Sequence, residues 1–426
     1  MNLNLKFAFL VSLFSPLVIF NSGGQQVPTT GDTLSLADLG REIENTISFN
    51  TSYSNYENIK DTTGKKITIK ASQLVINGDT LDPKEIKTRG QTTLYYRRKS
   101  YSVTLKSEAS FRHGEKNESL KKFFVLSLSM DRNYCNNILA FEMMKASRLF
   151  DLFFSFCELR INDRSEGIGM VIERPEDWAI KKHNSPLMIR RGYHTLDIKT
   201  GKGTEREEVK KYRDYYRHIY TSVTKYEGQE LYMMLSRWLD IDSYLKWLAF
   251  NFLVRNGDYT DEVYFFVDPG NDKFNIIPWD YDDLFSKSPH EGNIESRRLL
   301  GDKLFFSTED LLDKKIVNDP YMYKKYLIQF RELLEQLSSD LLKRIFENIY
   351  AELYPYYLND EIISKSAFDR YRDTNITMLK SYILSLYEQL IIYREIYLRD
   401  IRDHNQITLA LPELNQKKLI HDFFNQ

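Results

Sequence analysis

Residues 238–283 determine where a group of acidic residues lies in the fold, and they read WLDIDSYLKWLAFNFLVRNGDYTDEVYFFVDPGNDKFNIIPWDYDD. Apolar residues recur at helical spacing and predict a helix over Ile241–Arg255, and Asn256-Gly257 should end it because both residues tolerate left-handed backbone. β-branched and aromatic residues then predict two short strands, Val263–Val267 and Phe274–Pro278, joined by the turn sequence DPGND. The stretch therefore predicts a helix, a loop and a tight hairpin.

Acidic residues lie at both ends of the predicted hairpin. Asp258 follows the helix directly, and the second strand leads into WDYDD, which contains Asp280 and Asp282. Because a hairpin brings its two ends together, Asp258 and Asp280 should face one site. Carboxylates on rigid strand ends suit a divalent cation and a group that orients a hydroxyl nucleophile. The alternative is that Asp258 caps a turn and the later acids form a solvated loop.

Composition and charge limit the classes of function. The 426 residues are enough for one large or two to three ordinary domains, and a hydrophobic content of 42% is ample for a core. The 59 basic and 60 acidic residues leave a formal net charge of −1. No global charge attracts nucleic acid or an anionic membrane, so we expect no nucleic-acid partner.

The amino terminus has the features of a targeting segment. Lys6 precedes an apolar stretch, Phe7–Phe20, and Ser22-Gly23-Gly24 supplies small residues for cleavage. We expect residues 1–24 to be a signal peptide, residues 25–40 to be a linker, and the mature chain to be secreted or extracytoplasmic. The apolar stretch is too short and interrupted to span a bilayer comfortably, and no later run has spanning length, so no membrane span is expected in the mature chain.

The two cysteines, Cys135 and Cys157, leave two possibilities open. They could pair in an oxidising compartment, or they could be two buried free thiols, since one lies in a helical pattern and the other in a strand pattern. The 7 histidines are scattered, and no metal-binding Cys/His constellation is predicted.

The patterns divide the chain into a sheet-rich part and a helix-rich part. Strands are predicted at Thr46–Tyr53, Lys66–Ile69, Gln73–Ile76, Lys87–Thr93, Ser100–Leu105 and Phe123–Leu128, followed by a helix at Asn137–Leu149. The strands Phe154–Ile161 and Gly169–Ile172 should form a hairpin around Asn162-Asp163-Arg164. Phe306–Arg402 should be almost wholly helical, with breaks at Asp319-Pro320, Pro355 and Asn359-Asp360.

The fold class is therefore α+β, with a sheet-rich N-terminal lobe at residues 41–175 and a helix-rich C-terminal lobe at residues 176–405 that contains the acidic hairpin. Residues 406–426 would form a tail. Small-molecule sites most often lie in clefts between such parts, and we expect one at this junction.

A second polar cluster lies in the sheet-rich part. Arg89-Gly90-Gln91-Thr92-Thr93 combines glycine with hydroxyl groups, and the basic segment Arg97–Tyr101 follows it into a strand. Backbone N–H groups of such a turn could hold phosphate oxygens while a Lys or Arg adds charge. A solvated basic strand edge is the alternative. Together with the acids, the cluster suggests a nucleotide–metal site.

These motifs resemble those of the spore-coat protein H (CotH) kinases, secreted or spore-associated relatives of the protein-kinase-like fold. The similarity covers RGQTTLYYRRKSYSVTLK (residues 89–106), FFVLSLSMDRNYCNNILAFEM (residues 123–143), the GxGxxxE segment (residues 167–173), NGD (residues 256–258) and IPWDYD (residues 277–282). It extends from about Lys66 to Arg402. The resemblance implies a bilobal protein-kinase-like fold, with ATP and Mg²⁺ or Mn²⁺ as cofactors.

The resemblance also implies residues that bind the nucleotide. Lys99 would sit at the position of the phosphate-binding lysine, with Arg98 or Lys106 as less favoured occupants. Glu142 would form an ion pair with that lysine. Glu173 would lie near the adenine, at the connection between the lobes.

The remaining implied residues belong to the phosphate turn and the acidic hairpin. Arg89 opens the turn, Asp258 would be the catalytic aspartate, and Asp280, assisted by Asp282, would bind the metal. Two departures stand out: Gln91 replaces a frequent Asn, and Asp261-Glu262-Val263 stands where an Asn usually holds a second metal. Asp261 or Glu262 could substitute, the site could bind one metal, or the protein could be a pseudokinase.

The leading expectation is an exported ATP-dependent protein kinase that phosphorylates Ser or Thr of secreted or surface proteins. One alternative is a kinase-fold nucleotidyl transferase, because the motifs position a nucleotide without fixing which bond breaks. The other is a non-catalytic pseudokinase that serves as a structural protein of a surface or coat.

Overall fold

The computed structural model describes residues 34–37, 42–191, 197–287, 289, 300, 303–366 and 374–410, with side chains of the last helix to residue 402. The expected signal peptide, most of the expected linker and residues 411–426 lie outside this part. Every element described below belongs to one compact unit, residues 36–426.

A large mixed sheet forms the N-terminal part of the described chain. Its strands are β1 (Thr46–Thr51), β2 (Thr68–Ile69), β3 (Ala71–Ile76), β4 (Asp79–Leu81), β5 (Pro83–Arg89), β6 (Ser100–His113), β7 (Lys116–Leu126), β8 (Phe154–Ile161) and β9 (Arg164–Glu173). Their order is β2-β5-β6-β7-β9-β8-β1-β3-β4, and neighbours are antiparallel except for the parallel pair β1 and β8. Alternate residues such as Tyr101, Val103 and Leu105 are buried in its core.

Two predicted strands of this part end early. The chain leaves β1 after Thr51 and forms helix α1 (Tyr53–Lys60), because the Ser52 hydroxyl caps its first turn by accepting from Asn55 N at 3.3 Å. The strand predicted to reach Thr93 ends at Arg89, and Thr92–Tyr95 form a short 3-10 helix. The hairpin predicted around residues 162–164 is confirmed as β8 and β9.

A second sheet and most helices form the C-terminal part. Its strands are β10 (Leu187–Arg190), β11 (Asp197–Thr200), β12 (Val263–Asp268) and β13 (Lys273–Pro278), in the order β11-β10-β12-β13. The helices that follow α1 are α2 (Asn136–Ala146), α3 (Arg206–Lys225), α4 (Gly228–Leu235), α5 (Ile241–Val254), α6 (Leu311–Asn318), α7 (Pro320–Gln336), α8 (Ser339–Tyr357), α9 (Asp360–Ser366) and α10 (Ile376–Ala410). The predicted α+β class, with a sheet-rich part before a helix-rich part, is confirmed.

The predicted helix and hairpin around the acids are present, with one change at the helix end. Helix α5 ends at Val254, and Arg255 takes the left-handed conformation with φ of 48°, rather than Asn256 or Gly257. Strands β12 and β13 then pair from Val263 opposite Pro278 to the turn. The ends of the hairpin therefore meet next to the end of α5.

The helical C-terminal part breaks mostly where the sequence predicts. Asp319 separates α6 from α7 and caps α7, whose first residue is Pro320. The predicted break at Pro355 is wrong, since α8 continues to Tyr357. Its buried face packs against α10, for example through Phe346 and Tyr387, and this packing outweighs the local preference of proline.

The two cysteines are free and buried, so the disulfide is absent. Cys135 precedes α2 and Cys157 lies within β8. Burial raises the pKa of both thiols, which keeps them protonated and unreactive. Among the residues described, no helix is long and apolar enough to cross a membrane.

Candidate functional site

A cleft of about 380 Å³ lies where the large sheet meets the hairpin β12–β13. Both parts of the chain contribute side chains to it. From the sheet-rich part they are Lys66, Arg89–Thr93, Ser100, Leu126, Leu128–Met130, Asn137, Phe141 and Ile172, and from the helix-rich part Arg190, Asp258, Glu262, Tyr264, Trp279, Asp280 and Asp282. The expected junction cleft is therefore present.

Asp258, Asp280 and Asp282 all line this cleft. Backbone hydrogen bonds bring them together: Gly257 N donates to Asp283 O at 2.9 Å, and Trp279 N donates to Glu262 O at 3.0 Å. The first bond joins the loop of Asp258 to the acidic cluster, and the second closes the open end of the hairpin.

Gly257 permits the closest approach between these two segments. A Cβ atom at this position would lie 1.9 Å from Asp283 Oδ2 and 3.1 Å from Ser286 Cβ. A side chain at this position would force the Asp283 carboxylate to move, so glycine at residue 257 keeps the loop of Asp258 close to the acidic cluster.

Burial raises the pKa values of three acids of the cleft, and the charge of Asp280 adds to the shift at the other two. Burial raises the pKa of Asp280, although the charges of Arg89 and Arg190 oppose the shift. Burial, then the charges of Asp280 and Asp131, raise the pKa of Asp282 well above its usual value. The pKa of Glu262 is raised for the same reasons, burial first and Asp280 second. A cation at this place would favour the ionised forms of all three carboxyl groups.

The start of α2 holds the acidic segment in place. Asp131 accepts hydrogen bonds from the backbone N–H groups of Asn136 at 2.8 Å and Asn137 at 2.9 Å, which caps the helix. Asn136 Nδ2 donates to Asp282 O at 2.8 Å, and Asn137 Oδ1 accepts from Tyr281 N at 3.1 Å. Burial, partly opposed by these N–H groups, raises the pKa of Asp131 to about 7.

Two arginines face the acids from different elements. Arg89, at the end of β5, stacks on Phe124 with its guanidinium carbon 3.9 Å from the ring centre, and its charge acts on Asp280. Arg190, at the end of β10, forms an ion pair with Glu262 and donates from Nε to Asp261 O at 3.2 Å. Positive charge therefore partly balances the acids, and Arg89 lies in the cleft as the sequence suggested.

Lys99 does not face the cleft, which disagrees with the role that the resemblance implied. Its ammonium group is buried and donates to Asp61 O at 2.7 Å and Leu94 O at 2.5 Å. Arg98 also points elsewhere, donating from Nε to Glu166 O at 2.9 Å. Ser100, the first residue of β6, lines the cleft, whereas its neighbours Lys99 and Tyr101 are buried and do not line it, as expected where side chains alternate along an extended chain.

The predicted ion pair between Glu142 and Lys99 is likewise absent. Glu142 instead faces His113, with Oε1 and Nε2 3.3 Å apart, and Glu352 Oε1 lies at the same distance from the same nitrogen. Glu173 does not line the cleft either, and its carboxylate pairs with Lys182 at 3.5 Å. Of the residues proposed for nucleotide binding, the structure places Arg89 in the cleft and Lys99, Arg98, Glu142 and Glu173 outside it.

Some of these differences had a signal in the sequence. Lys99 lies two residues before Tyr101 and continues the alternation of the apolar residues Tyr101, Val103 and Leu105. This spacing predicts that its side chain lies on the same side of the chain as those core residues. Arg190 had no such signal, because its place depends on the pairing of β10 with the distant strand β12. Lys66 also lines the cleft, from a loop that was predicted to be part of a strand.

The described residues contain no group of three or more His, Cys, Asp or Glu side chains arranged to hold a metal ion. Two carboxylates nevertheless suit Mg²⁺, which proteins commonly hold with one or two carboxylates and the phosphates of a substrate. Asp280 and Asp282 thus fit a cation that arrives with a nucleotide.

Comparisons with known proteins agree on the family. The family model described as CotH kinase protein matches residues 86–388. The inner spore coat protein H of Bacillus subtilis (strain 168) is 21% identical over 321 residues, which cover 70% of this chain and 84% of that protein.

Two solved structures give weak overall superpositions. The Helicobacter pylori proinflammatory kinase CtkA matches with 10% identity and a TM-score of 0.35, covering 70% of this chain and 94% of its own. The Shewanella oneidensis MR-1 toxin–antitoxin complex of HipA, HipB and operator DNA matches with 13% identity and a TM-score of 0.31, covering 80% of this chain and 67% of that chain.

The family model spans most of the chain, including the phosphate turn, α2, the loop of Asp258 and the acidic hairpin. The resemblance first drawn from those motifs is thereby confirmed, and this chain belongs to the CotH kinase protein family.

Proposed function

We propose that this protein is an exported ATP-dependent protein kinase that transfers the γ-phosphoryl group to Ser or Thr hydroxyls of secreted or surface proteins. The observation that carries the proposal is the meeting of Asp258, Asp280 and Asp282 in one cleft that also contains Arg89. Membership of a kinase family supports the use of ATP.

The cleft residues suit phosphoryl transfer, which depends on positioning and on stabilisation of charge more than on covalent chemistry. Asp258 is half-buried beside the acidic pair and would orient the acceptor hydroxyl and accept its proton. Arg89 and the backbone of the turn that follows it would bind phosphate oxygens.

Asp280 and Asp282 would hold Mg²⁺ or Mn²⁺, which would neutralise charge on the phosphates. Burial raises the pKa of both groups, the charge of Asp280 adds to the shift at Asp282, and a cation would favour their ionised forms. Asp261 and Glu262 both lie within ion-pair distance of Arg190, at 4.0 Å and 2.5 Å. That pairing supports a site with one metal rather than two.

Export remains part of the proposal and rests on the apolar segment at Phe7–Phe20. The name of the Bacillus subtilis relative, a spore coat protein, is in keeping with a place outside the cytoplasm. Amino-terminal sequencing of exported material should begin between Gly23 and Val27, whereas cytoplasmic protein with an intact Met1 would contradict export.

The decisive experiment incubates the purified chain with ATP labelled at the γ or the α position, with Mg²⁺ or Mn²⁺, and with a mixed protein substrate. We expect label from the γ position on Ser or Thr of the acceptors. Label only from the α position would show nucleotidyl transfer instead. Metal-dependent ATP binding without any transfer would indicate a pseudokinase.

A control variant keeps the result specific. Asp268→Asn changes the turn at the far end of the hairpin, where the Asp268 side chain accepts from Gly270 N at 2.8 Å. It should transfer label as the unmodified chain does, while Asp258→Asn should not. Equal loss in both variants would mean that the hairpin was disturbed as a whole.

A further inference from the structure

Lys66 is a cation of the cleft whose charge is not neutralised by any residue that the structure describes. It lines the cleft together with Arg89 and the turn Gly90–Thr93, and its side chain is exposed. Among the residues that the structure describes, no hydrogen bond or ion pair engages its ammonium group. Arg190, by contrast, is paired with Glu262, and Arg89 stacks on Phe124.

The loop that carries Lys66 is attached, through its first residue Asp61, to the helical turn that follows Gly90. The buried ammonium group of Lys99 bridges Asp61 O at 2.7 Å and Leu94 O at 2.5 Å. Asp61 opens the loop, and Leu94 lies in the helical turn that follows Gly90. Lys99 therefore acts as a support that joins the two segments, because a buried ammonium group requires such partners.

Two further contacts fix the loop on either side of Lys66. Gly64 has φ of 81°, and a Cβ there would lie 2.7 Å from the ring of Tyr95, so the loop backbone packs directly against the helical turn. Ile67 N donates to Thr88 Oγ1 at 2.8 Å, and Thr88 N donates to Ile67 O at 2.9 Å. These contacts hold the backbone of Lys66 beside Arg89, while its side chain is exposed.

We propose that Lys66 binds phosphate oxygens of the nucleotide, the role that the sequence resemblance gave to Lys99. The inference rests on the proposed kinase function. A lysine ammonium is a compact charge on a flexible stem and suits phosphate recognition without fixed geometry. Phosphate binding requires a positive charge that is held in the right place. Lys66 combines a fixed backbone with a charge that no described residue engages.

The test measures the affinity of Lys66→Ala for ATP, ADP, AMP and adenosine, in the presence of Mg²⁺, by calorimetry. We expect a loss of about tenfold for ATP, the equivalent of about 1.4 kcal/mol, and no loss for adenosine. Lys66→Arg should retain most of the affinity. Lys65→Ala is the matched control, since Lys65 is the exposed neighbour and does not line the cleft.

The outcomes separate this inference from the proposed function. Unchanged ATP affinity in Lys66→Ala, or the same loss for adenosine or in Lys65→Ala, would overturn the role of Lys66 and leave the kinase proposal intact. If the unmodified chain binds no ATP, both proposals fail. Melting temperatures of the variants should match that of the unmodified chain, because both lysine side chains are exposed.

Discussion

Asn137 at the start of α2 accepts a hydrogen bond from the backbone N–H of Tyr281, with the two atoms 3.1 Å apart. Tyr281 lies between Asp280 and Asp282, so this bond joins the sheet-rich part to the segment of the proposed metal ligands. The other end of the amide donates to Asp131 at 3.1 Å. One buried side chain thus links the cap of α2 to the acids of the cleft.

We predict that Asn137→Ala weakens metal-dependent nucleotide binding. The substitution leaves the N–H of Tyr281 without its partner and frees the segment between the two aspartates, at a cost of about 1–3 kcal/mol in the free energy of unfolding. The Mg²⁺ concentration needed for half-maximal stabilisation by ATP should rise several-fold in a thermal-shift titration. An unchanged metal requirement in a destabilised variant would limit Asn137 to the cap of α2.

Asp280→Ala should abolish the stabilisation by nucleotide and Mg²⁺ together, because it removes our first choice of metal ligand. The melting temperature of the nucleotide-free protein should change little, since burial raises the pKa of the lost carboxyl group and so disfavours its ionised form in the folded protein. Thermal unfolding with and without ATP and Mg²⁺ measures both effects. If the variant is already unfolded without ATP and Mg²⁺, Asp280 is a structural turn residue instead.

Asp258→Asn should separate nucleotide binding from transfer. A group that orients the acceptor hydroxyl acts on the nucleophile rather than on ATP, so ATP affinity should stay within a few-fold while transfer falls by about 10² or more. Calorimetry and label incorporation on the same preparation give the two values. Full transfer by this variant would end the assignment of Asp258 as the catalytic residue.

The buried His113 should make stability depend on pH. Burial alone lowers its pKa, but the hydrogen bond to Glu352 and the charges of Glu352 and Glu142 outweigh it and leave the pKa raised above 6.5. The folded state therefore holds this proton more tightly than the unfolded chain. The stabilisation that comes from protonated His113 is complete below its unfolded pKa of 6.5 and is lost as the pH rises through its folded pKa.

The substitution His113→Gln should therefore reduce the loss of unfolding free energy that occurs as the pH rises above the folded pKa of His113. The free energy of unfolding, measured by denaturant at about pH 6 and about pH 8, should differ less in the variant than in the unmodified chain. His218→Gln on the exposed face of α3 is the control and should leave the difference unchanged. An identical pH dependence in all three proteins would show that the contacts of His113 with Glu142 and Glu352 contribute no pH-dependent stability.

Local sequence patterns are sufficient to predict the elements around the acids. The helix before Asp258, the turn DPGND and the two strands depend on residues close along the chain, and all of them are present. Because the hairpin closes on itself, the meeting of Asp258 and Asp280 followed from local pattern alone. Even the end of α5 was placed within one residue, although Arg255 rather than Asn256 takes the left-handed backbone.

The cations that face those acids are selected by contacts between segments far apart in the chain. Lys66 and Arg89 meet because β2 pairs with β5, and Arg190 reaches Glu262 because β10 pairs with β12. Glu142 turns to His113 rather than to Lys99 for the same reason, since their partners are set by packing between segments far apart in the chain. Local propensity cannot encode such pairings, because the free energy that selects them comes from burying whole faces of the sheet at once.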